Sequence, residues 1–72
     1  MSKENLLGSK WAKKDIKEGL YVNIPDNIRS VKEDEVVVYH DSPLGIGIRE
    51  INSGETHIVG RFELVQYFVR VG

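Results

Sequence analysis

The 72-residue sequence predicts a mainly β protein: a small five-stranded barrel with a short N-terminal helix. Three observations carry that prediction. Val, Ile and Thr together account for 17 residues, and β-branched side chains suit a pleated, half-buried surface. From Gly19 onward, apolar residues recur with a period of two rather than 3.6. Turn-forming Pro, Gly, Asn, Asp and Ser punctuate the chain at intervals of about ten residues, the spacing of short strands in a barrel or sandwich. A chain this short buries only about 60% of the surface its unfolded form exposes, which leaves room for one core and one domain.

The N-terminal part is basic. Residues 1–20 carry five lysines against Glu4, Asp15 and Glu18, whereas residues 21–72 carry five basic residues against eight acids. Residues 1–8 read as a flexible N-terminus jointed at Gly8, and residues 9–72 as the domain. Ser9 is placed to cap a helix over 10–17 that Gly19 ends, with Leu7, Trp11 and Ile16 on its apolar side.

The strands follow in order. Leu20, Val22 and Ile24 share one face of a first strand closed by Pro25-Asp26-Asn27. Residues 28–35 form a polar connection anchored by Ile28 and Val31, with Lys32-Glu33-Asp34-Glu35 as a solvated turn. Val36 to His40 is the strongest strand, apolar on both faces near its centre. Asp41-Ser42-Pro43 turns the chain into a strand over 44–51, with Leu44, Ile46 and Ile48 pointing one way. Ile51 falls on the opposite parity, which predicts a bulge or bend near Arg49-Glu50. Asn52-Ser53-Gly54 is a hairpin turn, and Glu55 to Gly60 is the returning strand. Residues 61–64 suit a single 3₁₀ turn. In the last strand Val65, Tyr67, Val69 and Val71 alternate inward, which turns Phe68 outward.

Closing so short a sheet removes its exposed edges, hence the barrel. The order of features over residues 16–72 resembles the SH3-like superfamily: a Gly-x-Tyr-Val-x-Ile first strand, a long loop, hairpin-linked strands, then a helical turn at Phe62-Glu63-Leu64 before the last strand. The acidic start and the Trp pair of peptide-binding SH3 domains are missing, so recognition of Pro-rich ligands is not implied. The KOW signature is missing as well. Val36 to His40 with Pro43 also resembles a stretch of the variable subunit of ferredoxin–thioredoxin reductase, itself an SH3-like barrel.

Composition narrows the function. A formal charge of -1 supplies no bulk attraction to nucleic acid or membrane, and the longest apolar run, Val36 to Tyr39, is far short of the ~20 residues that span a bilayer. No cysteine is present, which removes disulfides, thiolate nucleophiles and zinc–thiolate sites. Lys3 and Glu4 near the start do not make a signal peptide, so a cytoplasmic protein is expected. Each serine (2, 9, 30, 42, 53) falls at a chain end or a turn, and Gly45-Ile46-Gly47 lacks the third glycine of a phosphate loop. The expectation is a protein that is not an enzyme and uses no cofactor.

A binding surface is the better reading. Phe68 and Tyr39 beside the side-chain-free positions Gly45 and Gly47 offer a place for another protein chain to dock or pair. The competing explanation is that the glycines only let the sheet bend. Lys10, Trp11, Lys13, Lys14 and Lys17 combine a stacking ring with cations, which suits single-stranded nucleic acid, against the alternative that Trp11 plugs the barrel. His40, Asp41 and His57 are the residues to consider for a metal, but they show no recognised ligand spacing and are read as solvent-facing, with no metal assigned. The expectation is therefore a non-catalytic accessory module with a protein partner, of the kind a phage or mobile element encodes. Nucleic-acid binding is the alternative, self-association through the terminal strand is open, and no membrane is involved.

Overall fold

The structure is a computed structural model that describes residues 6–14 and 26–72. Its elements are β1 (Lys10–Lys13), α1 (Asp26–Arg29), β2 (Glu35–Ser42), β3 (Gly45–Glu50), β4 (Thr56–Val59), α2 (Arg61–Tyr67) and β5 (Phe68–Arg70). The strands form one antiparallel sheet in the order β4-β3-β2-β1-β5. Among the described residues, no helix is long and apolar enough to cross a membrane.

The mainly β expectation is met, and the barrel is corrected. Among the described residues β4 and β5 are the two edges of a sheet that does not close, and a second layer covers one face instead. Trp11, Val36, Val38, Ile46, Ile48, Val59 and Phe68 line the inner face, while Ile28, Val31 and Leu64 cover it from α1, the following turn and α2. Alternation works as anticipated in the central hairpin, where Val36 and Val38 oppose Glu50 and Ile48. Ile28 and Val31 are the buried anchors that the polar connection was expected to contain.

The helix lies near the C-terminus, not the N-terminus. Lys10–Lys13 is a strand because its backbone is claimed on both sides, by Val36 and Val37 of β2 and by Val69 and Arg70 of β5. Local helix propensity is weak beside a ladder satisfied on both edges. The first strand expected over 20–24 lies outside the described residues.

A second correction concerns residues 61–72. Where a 3₁₀ turn and an alternating strand were expected, α2 runs to Tyr67 and only Phe68–Arg70 extends. Leu64 and Phe68, four apart, reach the core; Val65, Val69 and Val71 are exposed. A helix entering a strand mixes periods 3.6 and 2, so simple alternation assigned the wrong parity. The Glu63 side chain accepts a 2.9 Å hydrogen bond from the Gly60 amide and so closes the start of the helix.

Leu44, expected inward, is exposed in the turn between β2 and β3. The bulge expected near Arg49-Glu50 is not formed: these residues pair in register with Val37 and Val36, and Ile51 is exposed in the turn. A bulge occurs instead on β2, where register shifts between Val38 and His40 and leaves Tyr39 as the extra residue. Gly54 takes φ +79° in the turn before β4, as its place in the hairpin required.

Candidate functional site

Three groupings of the expected residues can be followed from the sheet outward. The first is the face opposite the core. Because Ile46 and Ile48 point inward, Gly47 between them points outward, and its ladder partners there are His40 and Ile58. A methyl group at Gly47 would stand 2.8 Å from Tyr39 Cζ and 3.0 Å from His40 Cβ, so the missing side chain is the space that the Tyr39 ring fills. Gly45 has a different reason. At φ +154° its added methyl would meet Ile58 Cγ2 at 2.9 Å and the Val59 carbonyl oxygen at 3.1 Å, a close backbone approach between β3 and β4. Neither glycine is a bare strip, and both are buried. Tyr39 is 41% exposed and Ile58 55% exposed, and the half-buried Val37 continues this face toward the exposed Val69.

Phe68 is not part of this surface. Expected to face outward, it is 1% exposed and lies among the largest core side chains. It follows Leu64 by one helical turn, which sets its direction before the strand begins.

The edge beside Ile58 has its own chemistry. The Glu50 amide donates to the Glu55 carbonyl at 2.8 Å, which marks that opposed pair as a hydrogen-bonded one. Such pairs alternate along an antiparallel ladder, so Ile48–His57 and Ile46–Val59 are also bonded pairs. Thr56 and Ile58 therefore turn their N–H and C=O groups away from β3, toward the side on which no further strand pairs among the described residues. Thr56-His57-Ile58-Val59 carries no proline or lysine of the kind that blunts an edge.

The basic segment does not assemble as a stacking site. Trp11 is 7% exposed and packed in the core, and its Nε1 donates to Ser9 Oγ at 2.8 Å. Its lysines disperse: Lys10 is exposed beside β2, the Lys13 ammonium bonds the Val31 carbonyl, and the Lys14 ammonium donates to the Val65 carbonyl at 2.9 Å. Lys17 lies outside the described residues.

The candidate metal residues separate too. His40 is on β2 and His57 on β4, with β3 between them, and Asp41 pairs with the Arg61 guanidinium. The partner of His57 is Glu50, whose Oε2 lies 2.6 Å from Nε2. Glu50 is 1% exposed and also accepts from the Lys32 and Glu33 amides, both at 3.3 Å. Burial pushes its pKa up, but the His57 bond and the two amides outweigh burial and hold it below the ordinary carboxylate value. Glu33 is held low as well, first by the Asn52 amide at 2.8 Å and then, against the opposing effect of desolvation, by the Ser53 amide at 2.7 Å. Glu55, Glu50 and His57 bring one potential ligand atom each within 4.8 Å of one another. The neighbouring depression, lined by Lys32, Glu33, Asp34, Glu35, Ile51 and Asn52, is open to solvent.

Glu50 was missed in the sequence, yet a signal existed. Ile46, Ile48 and Glu50 keep one unbroken parity, so the same alternation that buries the two isoleucines buries the acid. Comparison with known protein families, curated proteins and solved structures finds no match to this chain.

Proposed function

We propose that this protein is a non-catalytic binding module that takes an extended segment of a partner protein along β4 and across the adjoining outer sheet face. The observation that carries this reading is the β4 edge, with the backbone groups of Thr56 and Ile58 turned outward beside the exposed Ile58 and Tyr39 side chains. Strand addition supplies affinity through main-chain hydrogen bonds, and alternate side chains supply specificity. Within this surface Tyr39 makes contact, Gly47 seats the Tyr39 ring, and Gly45 lets β3 approach β4. The strand order, with β5 beside β1 and a helix just before β5, supports an SH3-like arrangement without closure.

The test is selection of binding sequences from a display library of unstructured peptides, followed by affinity measurement. The reading expects Ile58→Lys, which places a charge on the edge, to abolish binding, and Tyr39→Ala to weaken it about tenfold, with both variants folded by circular dichroism. Binding that survives Ile58→Lys overturns it. Binding of a single-stranded oligonucleotide that falls steeply with salt and with Lys10→Ala would replace it by the nucleic-acid reading.

A further inference from the structure

We propose that Glu50, Glu55 and His57 form a site for one divalent ion of the zinc class at the closed end of the β3–β4 hairpin. The inference is independent of the peptide-binding reading and concerns the opposite face of the hairpin.

The hairpin brings the donors together. Glu50 and Glu55 oppose each other across the ladder, and His57 lies two residues beyond Glu55, on the same inward parity. Their ligand atoms lie within 4.8 Å of one another. A tetrahedral ion bound at about 2.0–2.2 Å holds its ligands about 3.4 Å apart, so the set closes with movement of about 1.5 Å or less. Glu55 is exposed and can supply that movement; Glu50 and His57 are already in contact.

These residues differ from the solvated acids of the Lys32–Glu35 turn in two respects. One donor is an imidazole, and one carboxylate is buried and oriented from behind. The Lys32 and Glu33 amides, with Ser53 Oγ at 3.5 Å, aim the Glu50 carboxylate at His57, the arrangement in which outer hydrogen bonds fix a metal ligand. The local charge is also unbalanced. Glu33 faces Glu50, Glu55 lies beside it, and among the described residues the ion pair of Glu50 is with His57.

Binding breaks the 2.6 Å contact between Glu50 Oε2 and His57 Nε2. Both atoms turn a lone pair to the ion and part to the distance of adjacent ligands; the Nε2 hydrogen passes to Nδ1 of a neutral ring, or to water from an imidazolium. Calcium and magnesium prefer six or more oxygen donors, whereas one nitrogen and two carboxylates with a water suit four-coordinate zinc.

The test is calorimetric titration of chelator-treated full-length protein with zinc chloride, with cobalt(II) absorption as a second readout of tetrahedral geometry. The expected result is one ion per chain with Kd on the order of 1 µM, and a melting temperature raised by about 15 °C at a hundredfold excess over Kd. Glu55→Gln and His57→Gln should each weaken binding at least about tenfold, while His40→Gln leaves it unchanged. If His57→Gln fails to fold, Glu55→Gln decides, because Glu55 is exposed. No saturable binding, a stoichiometry other than one, wild-type affinity in Glu55→Gln, or loss of binding in His40→Gln overturns the proposal.

Discussion

His57 Nε2 lies 2.6 Å from Oε2 of Glu50, a carboxylate with 1% of its surface exposed at the end of β3. The pair ties β4 to the end of β3, and the same carboxylate receives the amides of Lys32 and Glu33 from the loop before β2. Glu50→Ala removes the acceptor for all of these donors at once and leaves a cavity. The expected loss is about 3 kcal/mol, from buried donors without partners. Glu50→Gln keeps the shape and one carbonyl acceptor, so it should lose less. Urea denaturation of the two variants checks the order, and equal losses would show that volume, not hydrogen bonding, is what Glu50 contributes.

The same group gives the protein an acid-sensitive stability. Glu50 and Glu33 are both held below the usual carboxylate value of 4.5 in the folded state, so the unfolded chain binds their protons more readily. Their contribution is complete above the unfolded value and is lost as pH falls through the folded ones. The melting temperature should therefore drop as pH is lowered from about 5 to 3, and Glu33→Gln should flatten that drop. Thermal melts across this range measure it. A wild-type curve with no decline below pH 4.5 would contradict the assignment.

The central hairpin was legible because one physical rule governs it. Val36, Val38, Ile46 and Ile48 alternate inward without interruption, and Gly54 meets the positive φ of its turn. What could not be read there were the places where a second rule intervened. Trp11 and its neighbouring lysines satisfy a helical pattern locally, but β2 and β5, both distant in sequence, pair with them on either side. Phe68 belongs to the period of α2 although it is the first residue of β5, so its parity follows Leu64. The site suffered from a different blind spot. The parity of Ile51 predicts a bend near Arg49-Glu50, whereas Ile51 lies in the turn and Glu50, still on the inward parity of Ile46 and Ile48, is buried and bonded to His57.

Gly47 makes a direct test of the outer face. Its added methyl would lie 2.8 Å from Tyr39 Cζ, closer than carbon atoms pack, and 3.0 Å from His40 Cβ; the ring is the partner that can swing away, and His40 need give by only a few tenths of an ångström. Gly47→Ala should displace Tyr39 into solvent and cost about 1 kcal/mol, the range of modest overpacking. Gly45→Ala should cost more, because its nearest polar obstacle is the Val59 backbone carbonyl at 3.1 Å rather than a side-chain tip. Denaturation midpoints of the two variants establish the ranking. If Gly47→Ala were the more destabilising, the Tyr39 ring would be fixed more firmly than its exposure implies.

Trp11 separates the two binding hypotheses without a partner in hand. It is 7% exposed, and its indole N–H is satisfied by Ser9, so no face of the ring is open for a nucleobase. Its fluorescence should be blue-shifted in the native protein and unchanged on titration with a mixed single-stranded oligonucleotide at low salt. Trp11→Ala should cost about 3–5 kcal/mol, enough to threaten a domain of this size, because it empties the centre of the inner face beneath Val36. Trp11→Phe should retain the fold and lose only the Ser9 bond and part of the ring volume. Salt-sensitive quenching of the wild-type indole would require the ring to leave the core, and the basic segment would then displace β4 as the binding site.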